Sequence, residues 1–336
     1  MNAARMHASR AGTRVLVSDI GGTNARFALA DGAFAGLICI DTVREYPVAA
    51  FASLADAGRQ YLDEQGAVVD SAVFAVAGRV VDGEVQVTNH AWTITSEEVR
   101  RELGLQRVWL LNDFAAQAMA ITRLGPDDVV AIGPGTLKPF DACQPRTYAV
   151  IGPGTGLGVG GLMVRDGRCH PLETEGGHAG FAPGTAAELR LLECLARRFG
   201  RVSCERLVSG PGLTNLHAAV LEVHGETPQL LAPSQITSRA AAGDTRCSEA
   251  IEMFCSAFGS MAGDLVLMHG AWDGVFLSGG LVPKMLGALQ ASPFRARFED
   301  KGRFAASVSQ VPCFAVVHPQ AGLLGAAAHA AQSTMA

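Results

Sequence analysis

The sequence has no C-x-x-C or C-x-C pair among its eight cysteines, which lie at 39, 143, 169, 194, 204, 247, 255 and 313. That spacing excludes a zinc knuckle and a dithiol redox motif. Scattered thiols in a chain of this length fit a reducing compartment better than a disulfide scaffold. A basic surplus is also missing: 27 Lys and Arg against 32 Asp and Glu leave a net charge of −5. Without clustered cations to hold a phosphate backbone, nucleic acid is not an expected partner. No stretch reaches the roughly 18 uninterrupted apolar residues that span a bilayer, so no membrane association is expected either. The opening MNAARMHASRAGTR carries three arginines but no secretory apolar region or cleavage site follows it. Residues 1–13 read as a disordered extension, and the expected location is the cytoplasm. Finally, G-K-[ST] occurs nowhere, which excludes a Walker A loop.

What is there suits a globular α/β enzyme. The 336 residues amount to about two domains of about 150 residues each. A hydrophobic share of 49% with 18% charged residues is ample for buried cores. From Arg14, RVLVSDIGGTNARFALADGAFAGLICI reads as two or three apolar strands joined by glycine-rich or Asp-Gly turns, an antiparallel meander. The pattern predicts a helix over 50–65, a buried strand over 71–78, and a strand over 107–113 leading into the helical FAAQAMAI. Strand signals return at TYAVIGPGTGLGVGGLMVRDGR, and beyond Pro183 the chain is mostly helical, including 244–269. A last strand–turn–helix begins at Asp273. Two blocks therefore each open on a meander with a glycine-rich turn, Asp19–Asn24 and Gly152–Gly158. This weak repeat predicts two similar α/β lobes with a ligand cleft between them.

Three segments suit phosphate. In SDIGGTNARFAL, the strand end Ser18-Asp19-Ile20 meets Gly21, Gly22 and Thr23. Glycines let the backbone turn its amides toward an anion, Thr23 offers a hydroxyl, and Asp19 suits Mg²⁺, directly or through water. An ordinary hairpin turn is the alternative. The second segment, GPGTGLGVGG, supplies Gly154, Thr155 and Gly156. It also contains G-x-G-x-x-G at Gly156, Gly158 and Gly161, but a strand follows rather than a helix, so a dinucleotide fold is not indicated. The third is FLSGGLVP, where Ser278, Gly279 and Gly280 precede an expected helix N-terminus whose amides favour phosphate.

Candidate acceptor-site groups fall in polar breaks between apolar elements. They are Asn112 and Asp113 in LLNDFAAQ, Glu175 and His178 in ETEGGHAGFAP, and Glu205 in SCERLVSGPG. Asp113 sits at the carboxyl end of a strand, where α/β folds place ligand chemistry. It also suits a helix N-cap, and Glu205 a solvated surface position.

The strings SDIGGTNARFAL, TNHAW, LLNDFAA, GPGTGLGV, EGGHAGFAP, ERLVSGPGL, SGGLVP, FEDKGRF and HPQAGLLGAAAH resemble, in order and spacing, the bacterial glucokinase family, over about Val15 to His329. The resemblance implies a two-lobed α/β fold of the actin-like ATPase kind with ribonuclease H-like lobes and a cleft between them. The small domain would be 14–111 plus 319–336 and the large domain 112–318. It implies transfer of the γ-phosphoryl of ATP to the 6-hydroxyl of glucose, the first step of glycolysis, with ATP and Mg²⁺ required and a homodimer as the assembly. By the same resemblance Asp113 is the catalytic base, an ordinary carboxylate ionised at neutral pH. Asn112, Glu175, His178 and Glu205 bind glucose. Ser18 to Thr23, Gly154 to Gly156, Gly279 and Gly280 surround ATP. The chain departs from the family pattern at Ser18, Pro153 and Thr174.

Overall fold

β1 (Arg14–Ile20) and β2 (Asn24–Asp31) form the expected hairpin, in register from Arg14 opposite Asp31 to Ile20 opposite Ala25. The computed structural model describes residues 14–31 and 37–334; the expected extension at 1–13 lies outside the described residues. Short strands β3 (Leu37–Ile38) and β4 (Arg44–Pro47) both pair with β2. Helix α1 (Leu54–Gln65) follows, beginning four residues later than expected. The Ser53 hydroxyl caps it by accepting from Asp56 N, and Gly66 in the left-handed conformation ends it. β5 (Ser71–Val76) then runs parallel to β1.

A small three-stranded sheet, β6 (Val80–Val81), β7 (Glu84–Gln86) and β8 (Thr93–Thr95), was not foreseen. It leads through α2 (Ser96–Glu102) to β9 (Arg107–Asn112), parallel to β5. The first large sheet thus has the order β3-β2-β1-β5-β9 with β4 also on β2. Both its faces are covered, and β1 alternates between them with period two. Leu16 and Ile20 pack with Phe27, Leu54, Tyr61 and Phe74, whereas Val15 and Val17 pack with Ala28, Val73 and the C-terminal helix.

After α3 (Asp113–Ala120) the second sheet is built from β10 (Val129–Ala131), β11 (Arg146–Pro153), β12 (Leu157–Arg165), β13 (Arg168–Thr174), β14 (Gly274–Leu277) and β15 (Cys313–Val316). Its order is β10-β15-β14-β11-β12-β13. A three-stranded antiparallel meander is again followed by two parallel strands, so the two sheets match strand for strand apart from β10 and β4. That is the physical form of the weak repeat around the two glycine turns.

Between β13 and β14 lie α4 (Ala186–Phe199), α5 (Gly210–Val223), α6 (Pro233–Ala241) and α7 (Thr245–His269). The last is long and apolar enough to cross a membrane, yet 61% of its apolar window is buried inside the protein. Phe254, Phe258, Met261 and Leu265 place it in the largest core cluster, each fully buried aromatic or aliphatic side chain stabilising by about 1.5–3 kcal/mol. Short helices α8 (Leu286–Ala291), α9 (Phe294–Glu299) and α10 (Ala305–Val308) cover the same core.

The C-terminal helix α11 (Ala321–Thr334) returns to pack on α3 and on β1 and β5 of the first sheet. α3 buries Ala115, Ala116, Ala118 and Ala120, and α11 buries Ala326, Ala327 and Ala328. Small side chains let the two backbones approach closely, and at Gly325 the Ala116 carbonyl leaves no room for a β-carbon. The paired helices contribute to cores with both sheets, so α3, which begins at Asp113, sits between them.

Candidate active site

A cavity of about 740 Å³ opens between the sheets. Its walls are the two glycine turns, the ends of β9 and β14, the start of α3, the loop after β13 and the turn carrying Glu205. The two turns have similar closures. Gly21 N donates to Asn24 O at 2.9 Å in the first, and Gly154 N donates to Gly156 O at 2.8 Å in the second.

Asn112, not Asp113, is the N-cap of α3. Its Oδ1 accepts from Phe114 N at 2.9 Å and Ala115 N at 3.2 Å, and its Nδ2 donates to the Gly78 carbonyl at 2.9 Å. One hydrogen of the Nδ2 group is not used by these bonds. Asp113 is therefore released from capping. Its Oδ1 accepts a bond from Phe114 N at 2.9 Å, and the carboxyl lines the cavity floor.

Its chemistry differs from the expected ordinary carboxylate. Burial, then the charge on Asp19 and that on Glu175, push the Asp113 carboxyl up to about 7, against the pull of its bonds to backbone amides. The group is deep in the fold yet faces the open cavity, so the direction reflects the weak solvation of that floor. Asp19 is raised as well, chiefly by burial, with Arg26 acting in the opposite sense. Arg26 Nη1 lies 3.9 Å from Asp19 Oδ2, and Arg26 Nε donates to Glu45 at 2.6 Å.

Glu205 is no solvated surface charge. Its Oε2 accepts from Leu157 N at 3.0 Å, directly beside the second glycine turn. The carboxylate occupies the space a β-carbon on Gly156 would need, and the Phe114 ring fills the space beside Gly158. These contacts, and not a dinucleotide, account for the first glycines of the G-x-G-x-x-G string. Glu175 and His178 stand on the 3₁₀ turn after β13, where His178 N donates to Glu175 O at 3.0 Å and Arg201 donates to the His178 carbonyl at 2.7 Å. Both side chains are exposed toward the cavity.

The cavity brings together Asp19, Gly21, Gly22, Thr23, Asn112, Asp113, Gly154, Thr155, Gly156, Glu175, His178, Glu205, Gly279 and Gly280. Ser18 and Ile20 are not among its lining residues. Both are fully buried, so their side chains do not reach a nucleotide in the cavity as expected. Strand alternation explains it, because Asp19 alone of the three faces the opening. The helix expected immediately after Ser278-Gly279-Gly280 is also corrected. Gly279 adopts φ +86°, a 3₁₀ turn at Pro283–Met285 intervenes, and α8 starts only at Leu286.

Arg26, Thr88, Asn89, Gln117, His318 and Gly322 also line the cavity, with no role expected for them from the sequence. Thr88 and Asn89 belong to the TNHAW string, and Asn89 has φ +62°, a conformation Asn tolerates. Gln117 follows Asp113 by one helical turn, and its Oε1 accepts from Ser278 Oγ at 2.8 Å. That i, i+4 spacing was the available signal. His318 and Gly322 come from the far end of the chain, and nothing local announces them.

Among the described residues, four carboxylates (Asp19, Asp113, Glu175 and Glu205) and one arginine line the cavity. A polyphosphate enters such acidic surroundings only with a counter-cation. Among the described residues no group of three or more His, Cys, Asp or Glu is arranged to hold a metal by itself. A single carboxylate beside a glycine turn, as at Asp19, fits Mg²⁺, which keeps several waters and takes one or two carboxylates plus substrate phosphates.

A family model described as Glucokinase matches residues 16–333. The glucokinase of Xanthomonas campestris pv. campestris strain B100 is 58% identical over 322 residues, covering 96% of each chain. That of Stenotrophomonas maltophilia strain K279a is 57% identical over 319 residues, covering 95% of each. A crystal structure of glucokinase from an Antarctic psychrotroph aligns with a TM-score of 0.84 at 36% identity, covering 94% of this chain and 98% of that one. The cavity with its two glycine turns and Asp113 agrees with these likenesses over nearly the whole length: the chain belongs to the glucokinase family.

Proposed function

We propose that this protein transfers the γ-phosphoryl of ATP to the 6-hydroxyl of glucose, yielding glucose 6-phosphate and ADP. The single observation that carries the reading is Asp113: a carboxyl tuned to about 7, freed from capping by Asn112, on the floor between two glycine turns. A sugar hydroxyl must lose its proton as the new O–P bond forms. A base whose pKa lies near the working pH combines a useful ionised fraction with proton affinity.

The parts then take these roles. Backbone amides at Gly21–Thr23 and Gly154–Gly156 cradle the phosphates, and the Gly279-Gly280 turn borders the nucleotide. Glu175, His178 and Glu205 hold the sugar hydroxyls and aim O6 at the γ-phosphorus. Asp113 takes the O6 proton while O6 bonds to phosphorus and the bond to the β,γ-bridging oxygen breaks, releasing ADP. Asp19 would hold Mg²⁺, directly or through water, and that ion, when bound, neutralises charge on the β- and γ-phosphates. Hydrogen-bonded hydroxyls also give selectivity, since a site built this way rejects an analogue lacking a bonded hydroxyl by about 10⁴–10⁵.

The same reading assigns the chain to the actin-like two-lobed class. Residues 14–111 with 319–336 form the smaller lobe and 112–318 the larger. Matching strand order in the two sheets, with α3 and α11 paired between them, supports it. Closure of the lobes would bury the exposed Glu175 and His178 and keep water from the phosphoryl group. A cytoplasmic homodimer completes the proposal, and light scattering on the purified protein reads the assembly. The activity is tested by ADP release over a panel of hexoses with Mg-ATP. Glucose should stimulate it most. Dominance by mannose or fructose would overturn the substrate, and no stimulation by any hexose would overturn the kinase reading.

A further inference from the structure

Thr174 is the last residue of β13, at the point where the chain leaves the second sheet, and its register partner on β12 is Val159. Its Oγ1 donates to the Val159 carbonyl at 2.8 Å and accepts from Gly176 N at 3.2 Å. The hydroxyl therefore ties both sides of Glu175, one to the neighbouring strand and one to the turn that follows. Glu175 is held between them at φ −105° and ψ 38°, outside both helix and strand, and His178 is bonded in turn to the Glu175 carbonyl. Val159 lies two residues past Leu157, whose amide donates to Glu205. The start of β12 thus anchors Thr174 and Glu205 alike, next to the Gly154–Gly156 turn.

We propose that Thr174 is a positioning residue whose hydroxyl aims Glu175 and His178 at the acceptor sugar and so governs discrimination among hexoses. This rests on the sugar-kinase reading above. The two hydrogen bonds of the Thr174 hydroxyl go to Val159 and Gly176, outside both nucleotide turns, so its effect belongs to the sugar side. Losing a hydroxyl that makes two hydrogen bonds on either side of Glu175 is enough to shift sugar affinity by about an order of magnitude.

The test compares wild type with Thr174→Val and Thr174→Ser for glucose and its C2 epimer mannose. Thr174→Val keeps the shape and loses the hydroxyl. It is expected to raise KM for glucose roughly tenfold and to narrow the glucose-over-mannose ratio of kcat/KM by a similar factor. KM for ATP should stay within about twofold of wild type, and Thr174→Ser should restore wild-type behaviour. Thr174→Ala substitutes for the valine variant if that protein does not fold. An unchanged glucose-to-mannose ratio in Thr174→Val, with activity lost evenly or Tm alone lowered, overturns the inference and leaves the kinase reading intact. Absence of hexose-dependent turnover in wild type overturns both.

Discussion

Gly322 lies directly on the Asp19 carboxylate: a β-carbon there would fall 2.5 Å from Oδ2. The first turn of α11 and the end of β1 are more than 300 residues apart in the chain, yet they close the same corner of the cavity. A helix N-terminus favours a nearby anion, so the contact also stabilises the charged form of Asp19 that burial opposes. Gly322→Ala must move either the helix or the carboxylate, and overpacking of this kind costs about 1–3 kcal/mol. The expected result is a rate reduced about tenfold and a higher Mg²⁺ concentration for half-maximal activity. Unaltered Mg²⁺ dependence would separate Asp19 from the cation.

The Asp113 carboxyl, raised to about 7, makes a pH prediction with a definite sign. The folded protein holds a proton that the unfolded chain releases near the ordinary value of 3.8. The stability this group supplies is therefore complete below about pH 4 and lost as pH rises through about 7. Asp113→Asn lacks the titration, so its Tm relative to wild type should rise from about pH 5 to about pH 8. In wild type, kcat/KM for glucose, which reports the free enzyme, should fall on the acid side of about pH 7. A flat profile down to about pH 5 would mean that the base ionises as an ordinary aspartate.

Glu205, proposed to hold a sugar hydroxyl, is tied to the second glycine turn through its bond to Leu157 N. Glu205→Ala leaves that amide unpaired, at a cost of about 1–3 kcal/mol, and should raise KM for ATP as well as for glucose. Glu205→Gln keeps an acceptor and should raise KM for glucose chiefly. Equal effects of the two variants on ATP would show that the Leu157 bond does not hold the turn.

Gln117 and Ser278 connect α3 to the end of β14 by one hydrogen bond across 161 residues of chain. Gln117→Leu removes it while filling similar space. KM for ATP should rise about threefold to tenfold, from a bond contributing about 0.5–1.5 kcal/mol, with KM for glucose little changed. Steady-state kinetics with each substrate varied in turn reads both values.

Local chemistry was legible from the chain wherever it depends on neighbours in sequence. Asp19–Asn24 and Gly152–Gly158 announce turns because glycine clusters interrupt apolar strands, and LLND ahead of FAAQ announces a strand running into a helix. Properties set by distant chain were not legible. The Asp113 pKa depends on the meeting of α3 with β1 and with the loop after β13, and so cannot be read from an isolated aspartate. Ser18 and Ile20 shared a motif with Asp19, but strand alternation turns them into the core. Thr88 and Asn89 sit in the turn between β7 and β8, strands of three residues that are too short for a periodic signal. Gly322 looks like one more small residue in an alanine-rich helix until the Asp19 contact is seen.

The most direct measurement sets wild type beside Asp113→Asn under saturating Mg-ATP and glucose, with both shown to be folded. The account predicts glucose 6-phosphate from wild type and a kcat lower by about 10²–10⁴ in the variant, with KM for ATP close to wild type. A variant that phosphorylates glucose at a rate near that of wild type would contradict it, because the proton on O6 would then be leaving by another route.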